Sequence, residues 1–452
     1  MCMLPHREKE RKQQVKSSTH KTSNTKKVFR RKLIWSVIAL IGVLILGMVP
    51  VFGVNREYMA NFIAKGDVFT FLDSMTGGTL SKLSMTGFAI PSYITGSIFL
   101  QLLGIVFPKI DKIRSDGEQG RRWFEKLEFA VAVCLTLTYG LVLAIGFGKL
   151  GILKSYTAPH IIIAVACWTV GTVVTVAVAN RITDKGIGNG ISMLLGLNIL
   201  SRVPNDLSSF KTSYLAGKSG KEVFVACAVF VAVVVIVTYI AMYMQCSALY
   251  IPIRQSQKEA SVLNTMGQIP ISAGVANVLP SIYAMTLLSF PAIIASFGKI
   301  KTDGTVLGKI VDALSAQYWY KPTEWYHAAG FIVYLLLMIG LGFFASHVSF
   351  CSEEIADTMK KSGTVIPGIN PGSDTVKYLE KCRKVMAMIN VVFLVVLTVG
   401  PGVLCTKLNI TGLTFAGTSI VIIVNTLFDT WTRFNGAYLP VSKKYRILGG
   451  KR

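Results

Sequence analysis

The sequence predicts an all-α integral membrane protein with ten transmembrane helices. Three observations carry that prediction. Only 15% of the 452 residues are charged and 52% are hydrophobic, whereas a soluble protein carries about 25% charge. Leu33–Val54 and Val223–Cys246 contain no charged residue, and a helix needs about 20 apolar residues to cross a bilayer. Ten spans also sort Lys and Arg unevenly between alternate loops.

The spans are expected at 33–54, 89–108, 127–148, 159–180, 190–203, 222–245, 274–297, 327–350, 385–405 and 412–430. The first run is too long for a signal-peptide core, and no small-residue cleavage site follows it. The fifth is short, is interrupted by Asn198, Ser201 and Arg202, and is expected to end at Pro204. Such a segment belongs inside protein or beside a watery cavity rather than against lipid. With a cytoplasmic N-terminus, ten spans return the C-terminus to the cytoplasm. The segments 1–32, 109–126, 181–190, 246–273, 351–384 and 431–452 then hold 33 of the 47 Lys and Arg on that side. This is the positive-inside pattern.

The net charge of +24 is read first as orientation charge facing anionic lipid. No direct nucleic-acid function is needed to explain it. A basic cytoplasmic face docking an acidic partner is the other use open to it. The tail 1–32 is polar and basic without apolar periodicity, so it is expected to be disordered.

Motif chemistry is sparse. The eight cysteines lack C-x-x-C or metal-ligand spacing and read as reduced thiols. The five histidines form no H-E-x-x-H pattern, and neither a Walker A sequence nor G-x-S-x-G occurs. The "GIGNG" at 186–190 follows a membrane helix rather than a strand, which argues against nucleotide binding. No catalytic, cofactor-binding or metal-ligating residue is assigned. Acidic residues stay at the span ends, as with Glu125, Glu128 and Asp429. A proton- or sodium-coupled carrier normally buries acids at mid-depth. A pore driven by a soluble partner fits better, with a multi-span small-molecule carrier as the alternative from another class.

Four stretches, in order and at matching spacing, resemble the SecY family, the central subunit of the protein-conducting channel. They are "GGTLSKLSMTGFAIPSYITGSIFLQLL" (77–103) with "DGEQGRRWFEK" (116–126), "ITDKGIGNGIS" (182–192), "IPISAGVANVLPSIYAMTLLSFPAIIASF" (269–297), and "SEEIADTMKKSGTVIPGINPG" (352–372) with "FAGTSIVIIVNTLFDT" (415–430). The resemblance covers the chain from about residue 30. It implies two pseudo-symmetric five-helix halves, 33–203 and 222–430, around an hourglass pore. A hinge loop at 204–221 joins them, and basic cytoplasmic tails lie at 1–32 and 431–452.

The resemblance also implies site residues. A short plug helix at 76–88 would carry Gly77, Gly78, Leu80, Leu83, Met85 and Phe88. By composition alone, this half-polar segment could equally be a re-entrant loop. A pore ring would comprise Ile90, Ile94, Ile191, Leu195, Ile282 and Ile422. By periodicity alone, these are core or lipid-facing aliphatics. Arg254, Lys258, Lys360, Lys361 and Asn370, on the cytoplasmic loops 246–273 and 351–384, would dock a motor or ribosome.

The implied function is conduction of unfolded preproteins across a bacterial plasma membrane, with lateral release of hydrophobic segments between spans two and seven. The implied partners are SecE-like and SecG-like small subunits and a SecA-type motor ATPase or a ribosome. The sequence departs from the family at several places. Asn370 stands where the family usually has arginine, and the 247–268 loop is shorter and less basic than usual. The first span lacks an arginine common near its outer end, and Pro91 lies one position early. These departures raise a second possibility, an accessory SecY with its own motor and few substrates.

Overall fold

A backbone crossing lipid must satisfy its own hydrogen bonds, so apolar runs of this length fold as helices. The computed structural model describes residues 30–55, 73, 76–107, 110, 113, 117–147, 156–186, 188–210, 220–255, 267–274, 276, 278–297, 306–314, 319, 325–407 and 416–438.

Five helical stretches are long and apolar enough to cross a membrane by length and composition: Arg30–Met48, Arg122–Ile145, Ala158–Lys185, Tyr326–Lys361 and Ser373–Val403. Five shorter apolar stretches lie between them, within Ala89–Gly104, Gly190–Pro204, Phe230–Cys246, Leu279–Leu288 and Ser419–Thr432. Each of the ten predicted spans therefore overlaps an apolar helix, although the first helix ends at Met48 rather than at 54 and the seventh begins at Leu279 rather than at 274. The helices are α1 (Arg30–Met48), α2 (Ala89–Val106), α3 (Gly117–Phe147), α4 (Ala158–Lys185), α5 (Gly190–Phe210), α6 (Gly220–Cys246), α7 (Leu279–Phe297), α8 (Val306–Leu314), α9 (Trp325–Ser349), α10 (Ser352–Lys361), α11 (Ser373–Lys407) and α12 (Ala416–Tyr438).

Packing divides them into two groups. In the first, α2 lies on α3 and α4, α3 on α4, and α4 on α5. In the second, α7 lies on α9, α9 on α11, and α12 on both α6 and α11. The groups meet where α7 touches α2 and α3, and again where α12 touches α5. Large apolar side chains point outward on many spans, among them Ile38, Val235, Ile236 and Leu336. An apolar exterior is stable only against lipid or another membrane helix, which fits a spanning protein.

Several expected boundaries change. The fifth span does not stop at Pro204; α5 continues to Phe210 with the proline inside it. Proline removes one helical hydrogen bond, but neighbours or water can satisfy the freed carbonyl in a protein-lined helix. Helix thus occupies 204–210 of the expected hinge, α6 begins at Gly220, and 211–219 lies outside the described residues. The first helix starts inside the expected tail, at Arg30, and the last runs to Tyr438. The expected helix at 76–88 is a succession of turns. Gly77, Gly78 and Leu83 have φ of 71°, 81° and 47°, a left-handed backbone that a right-handed helix cannot contain.

The sequence reading treated 246–273 and 351–384 as separate loops, but they fold together. Strand β1 (Ala248–Gln255) pairs antiparallel with β2 (Gly267–Ser272), and β3 (Thr364–Val365) joins the other edge of β1. Alternation places Leu249, Ile251, Ile253, Ile269 and Ile271 in an apolar cluster with Ala356 and Met359 of α10, Ile366, and Leu379 of α11. Pro270 lies on the edge strand, and Pro252 lies where β3 does not reach, so neither missing N–H interrupts a ladder between two partners. The helix α8 was also unanticipated. It packs on α9, aided by Trp319, whose Nε1–H donates to the Ala313 carbonyl at 2.9 Å and whose ring stacks on Tyr334 at 4.7 Å.

Candidate functional site: an apolar ring and the segment beside it

Residues four apart share a helix face, so Ile90 and Ile94 of α2 project together, as do Ile191 and Leu195 of α5. Ile282 comes from α7 and Ile422 from α12. Ile90, Leu195, Ile282 and Ile422 are buried in one apolar cluster, and Ile94 and Ile191 pack against it. Four helices from both groups therefore contribute these aliphatic side chains to the same extended apolar core. Thr426, one turn beyond Ile422, donates from Oγ1 to the Ser192 carbonyl at 3.2 Å and joins α12 to α5 there. Nearby, Gln245 Nε2 donates to Asn425 Oδ1 at 2.7 Å and joins α6 to α12.

On the opposite seam, the residue after Ile282 begins a polar chain. Tyr283 Oη of α7 donates to Gln101 Oε1 of α2 at 3.3 Å. Gln101 Nε2 donates to Ser97 Oγ at 2.9 Å, and Ser97 Oγ donates to Glu128 Oε1 of α3 at 2.7 Å. Tyr93 Oη donates to Glu128 Oε2 at 3.0 Å. Glu128 was expected at a span edge. It lies near the start of the spanning stretch Arg122–Ile145, eleven residues into α3, and is buried there with two hydroxyl donors.

The turn segment 76–88 packs beside this ring and belongs to a different cluster. Leu80, Leu83 and Phe88 are buried with Leu143 of α3 and Val165 and Trp168 of α4, and Met85 packs against them. The Phe88 ring meets Trp168 edge-on at 5.3 Å. Backbone bonds tie the segment to the end of α1: Val51 N–H donates to the Leu83 carbonyl and Met85 N–H to the Val49 carbonyl, each at 3.1 Å.

Two close approaches demand glycine. A Cβ on Gly77 would lie 2.6 Å from the Asn198 carbonyl of α5, and one on Gly171 of α4 would lie 2.0 Å from the Met85 carbonyl. Asp73 organises the segment's entry. Its carbonyl accepts Gly78 N–H at 2.9 Å, and its Oδ1 accepts Ser81 N–H at 2.7 Å. Its Oδ2 pairs with Arg202 of α5 at 3.0 Å. Burial pushes the Asp73 carboxyl above its ordinary value, while the Ser81 N–H and the Arg202 and Lys82 charges pull it back down.

The SecY family model matches residues 84–431. The chain belongs to the SecY family. Protein translocase subunit SecY of Halalkalibacterium halodurans is 27% identical over 425 residues, which cover 92% of this chain and 96% of that one. Among solved structures, one described as a protein conducting channel has a TM-score of 0.64 at 17% identity, covering 94% of this chain and 95% of that one. A second, described as showing that the SecY plug domain stabilises the closed state and maintains a membrane seal, has a TM-score of 0.62 at 17% identity over the same shares. Sec61 in a canine ribosome-channel complex also has a TM-score of 0.62, at 16% identity over the same shares. Membership of a channel family removes the small-molecule carrier alternative.

In this SecY-family chain, four of the residues expected to dock partners are exposed on the loops that form the small sheet and α10. Arg254 is exposed and lies opposite Val365, close in sequence to Lys360 and Lys361 in the exposed last turn of α10. Asn370 is exposed between turns at 367–368 and 371–372, and its carbonyl accepts the Thr375 hydroxyl at 2.9 Å. Lys258 lies outside the described residues. Sequence reasoning missed Asp73, Gln101, Arg202 and Tyr283. Asp73 and Arg202 are 129 residues apart, and no local pattern links them.

Replacing Gly171 by Ala is expected to push the Met85 backbone off α4. Overpacking of this kind costs about 1–3 kcal/mol. Amide exchange across 80–88 should quicken roughly tenfold or more, with exchange in α9 unchanged. Wild-type exchange rates at 80–88 in the folded variant would contradict the close packing.

Proposed function

We propose that this SecY-family channel subunit conducts unfolded polypeptides through a constriction formed by Ile90, Ile94, Ile191, Leu195, Ile282 and Ile422. The observation that carries the proposal is their convergence, from four helices of both groups, in one apolar cluster. Branched aliphatics seal a pore by fit and by dewetting, and they part around a chain without offering it hydrogen bonds. Conduction of this kind needs no covalent chemistry. The segment 76–88, with Gly77, Gly78, Leu80, Leu83, Met85 and Phe88, acts as the plug. Its strained Leu83 backbone and its lack of regular helix suit a part that must leave its seat.

Hydrophobic segments of the substrate leave sideways between α2 and α7. The Tyr283–Gln101 bond crosses that exit and must break when it opens. SecE-like and SecG-like subunits cover part of the apolar exterior, and anionic lipids meet the basic face. Both termini are cytoplasmic in a bacterial plasma membrane, in line with the Lys and Arg asymmetry. A SecA-type motor or a ribosome docks through Arg254, Lys258, Lys360, Lys361 and Asn370.

One observation favours a specialised form of this channel. The exposed position expected to carry arginine carries Asn370, which offers neither a charge nor a bidentate fork. An accessory channel with its own motor and few substrates follows from weak engagement of a general SecA.

Two measurements test these readings. Ile282→Asn or Ile422→Asn places an amide at the constriction, at a cost of roughly 1–3 kcal/mol. That is enough to raise the open fraction about tenfold or more. Export of a reporter with a defective signal segment should rise above background; export at background for both folded variants would remove these residues from the gate. Separately, Asn370→Arg should tighten SecA binding and raise its ATPase stimulation in reconstituted membranes, through a charge-assisted contact worth about 1.5–3 kcal/mol. Tight wild-type binding with no gain in the variant would refute the specialised form and leave a general channel.

A further inference from the structure

We infer that the Asp73–Arg202 ion pair is a positioning pair that latches the plug segment to α5 and so sets how strong a signal is needed to open the channel. The inference rests on reading 76–88 as the plug.

The two side chains are only 6% and 19% exposed, and the Arg202 guanidinium lies 3.0 Å from Asp73 Oδ2. Asp73 is also the hub of the segment's own fold. Its carbonyl holds Gly78 N–H and the Thr76 hydroxyl, and its other carboxylate oxygen holds Ser81 N–H. One residue therefore shapes the segment's first turns and ties them to a helix.

The contact on α5 extends beyond the ion pair. Gly77 presses so closely on Asn198 and Ser201 that a side chain there would collide with both. At its other end the same helix supplies Ile191 and Leu195 to the apolar cluster. Eleven residues of helix, or about 16 Å, separate Ile191 from Arg202. A polypeptide that spreads the cluster presses on Ile191 and Leu195, and any shift of α5 moves the anchor of the segment. The ring and the plug are thereby linked through one rigid element.

A buried ion pair suits a latch better than an apolar contact would. When one partner is removed, the other loses the counter-charge 3.0 Å away while staying largely shielded from water, so the closed arrangement weakens. When both are removed, neither charge is left facing a neutral replacement. The pair thus predicts non-additivity, which general loss of packing does not.

The test uses the full chain reconstituted in planar lipid bilayers, with resting ion conductance as the readout. The variants are Asp73→Asn, which keeps an acceptor for Ser81 N–H, Arg202→Gln, the two combined, Arg202→Lys, and deletion of 77–85. Thermal unfolding in detergent checks the fold of each. The expected result is a resting conductance about tenfold above wild type in either single variant. The combined variant should be no leakier than the singles, Arg202→Lys should restore most of the closure, and the deletion should leak. The single variants should also export a reporter with a weakened signal segment.

Single variants as closed as wild type beside a leaking deletion would overturn the latch and leave the plug standing. A deletion that stays closed would overturn both. Leak that rises only in step with lost thermal stability, additive in the combined variant and not rescued by lysine, would make the pair a structural contact and overturn its positioning role.

Discussion

The contact on which the rest of the structure depends is the meeting of aliphatic side chains from α2, α5, α7 and α12. It is an apolar contact between two groups of helices, non-directional and without a covalent link. Such a contact is strong while water is excluded and easily separated when another apolar surface enters. The fold places its seams around that property. Thr426 and the Gln245–Asn425 pair fasten the α5, α6 and α12 side. The α2–α7 side is joined by a short polar chain ending at Tyr283.

Unequal fastening is what the proposed sideways opening between α2 and α7 requires. Hydrogen bonds in a protein interior cost little to exchange for equivalent ones, but much to lose outright. Under the proposed lateral exit, a hydrophobic segment leaving between α2 and α7 would break the Tyr283–Gln101 bond. Glu128 remains held by Tyr93 and Ser97 within the first group. The segment 76–88 adds a second layer. Its apolar residues pack on α3 and α4, so the proposed plug movement would cost burial there.

Much of the architecture was legible in the sequence because lipid imposes a simple rule. Long uncharged runs have to be helices, and Lys and Arg mark the side that stays inside. The aliphatics proposed as a ring were singled out only by the SecY resemblance, since isoleucine and leucine fill every span. The burial of Glu128 and its bonds to Tyr93 and Ser97 had no signal in the sequence, because those partners lie 35 and 31 residues away. The small sheet carried a readable signal that went unused, the alternation of Leu249, Ile251 and Ile253 and of Ile269 and Ile271. Leu83 in a left-handed backbone had no signal, because leucine favours helix. The Asp73–Arg202 pair had none either, because its partners are joined only by the fold.

The central claim is that a moving polypeptide touches the ring. The most direct measurement is disulfide crosslinking between a cysteine midway along an arrested, half-exported substrate and single cysteines placed in this chain. Crosslinks are predicted at positions 282 and 422, and none at 235 or 336, which lie on the exposed apolar exterior. Crosslinks of equal yield at all four positions, or only at 235 and 336, would contradict a path through the apolar ring.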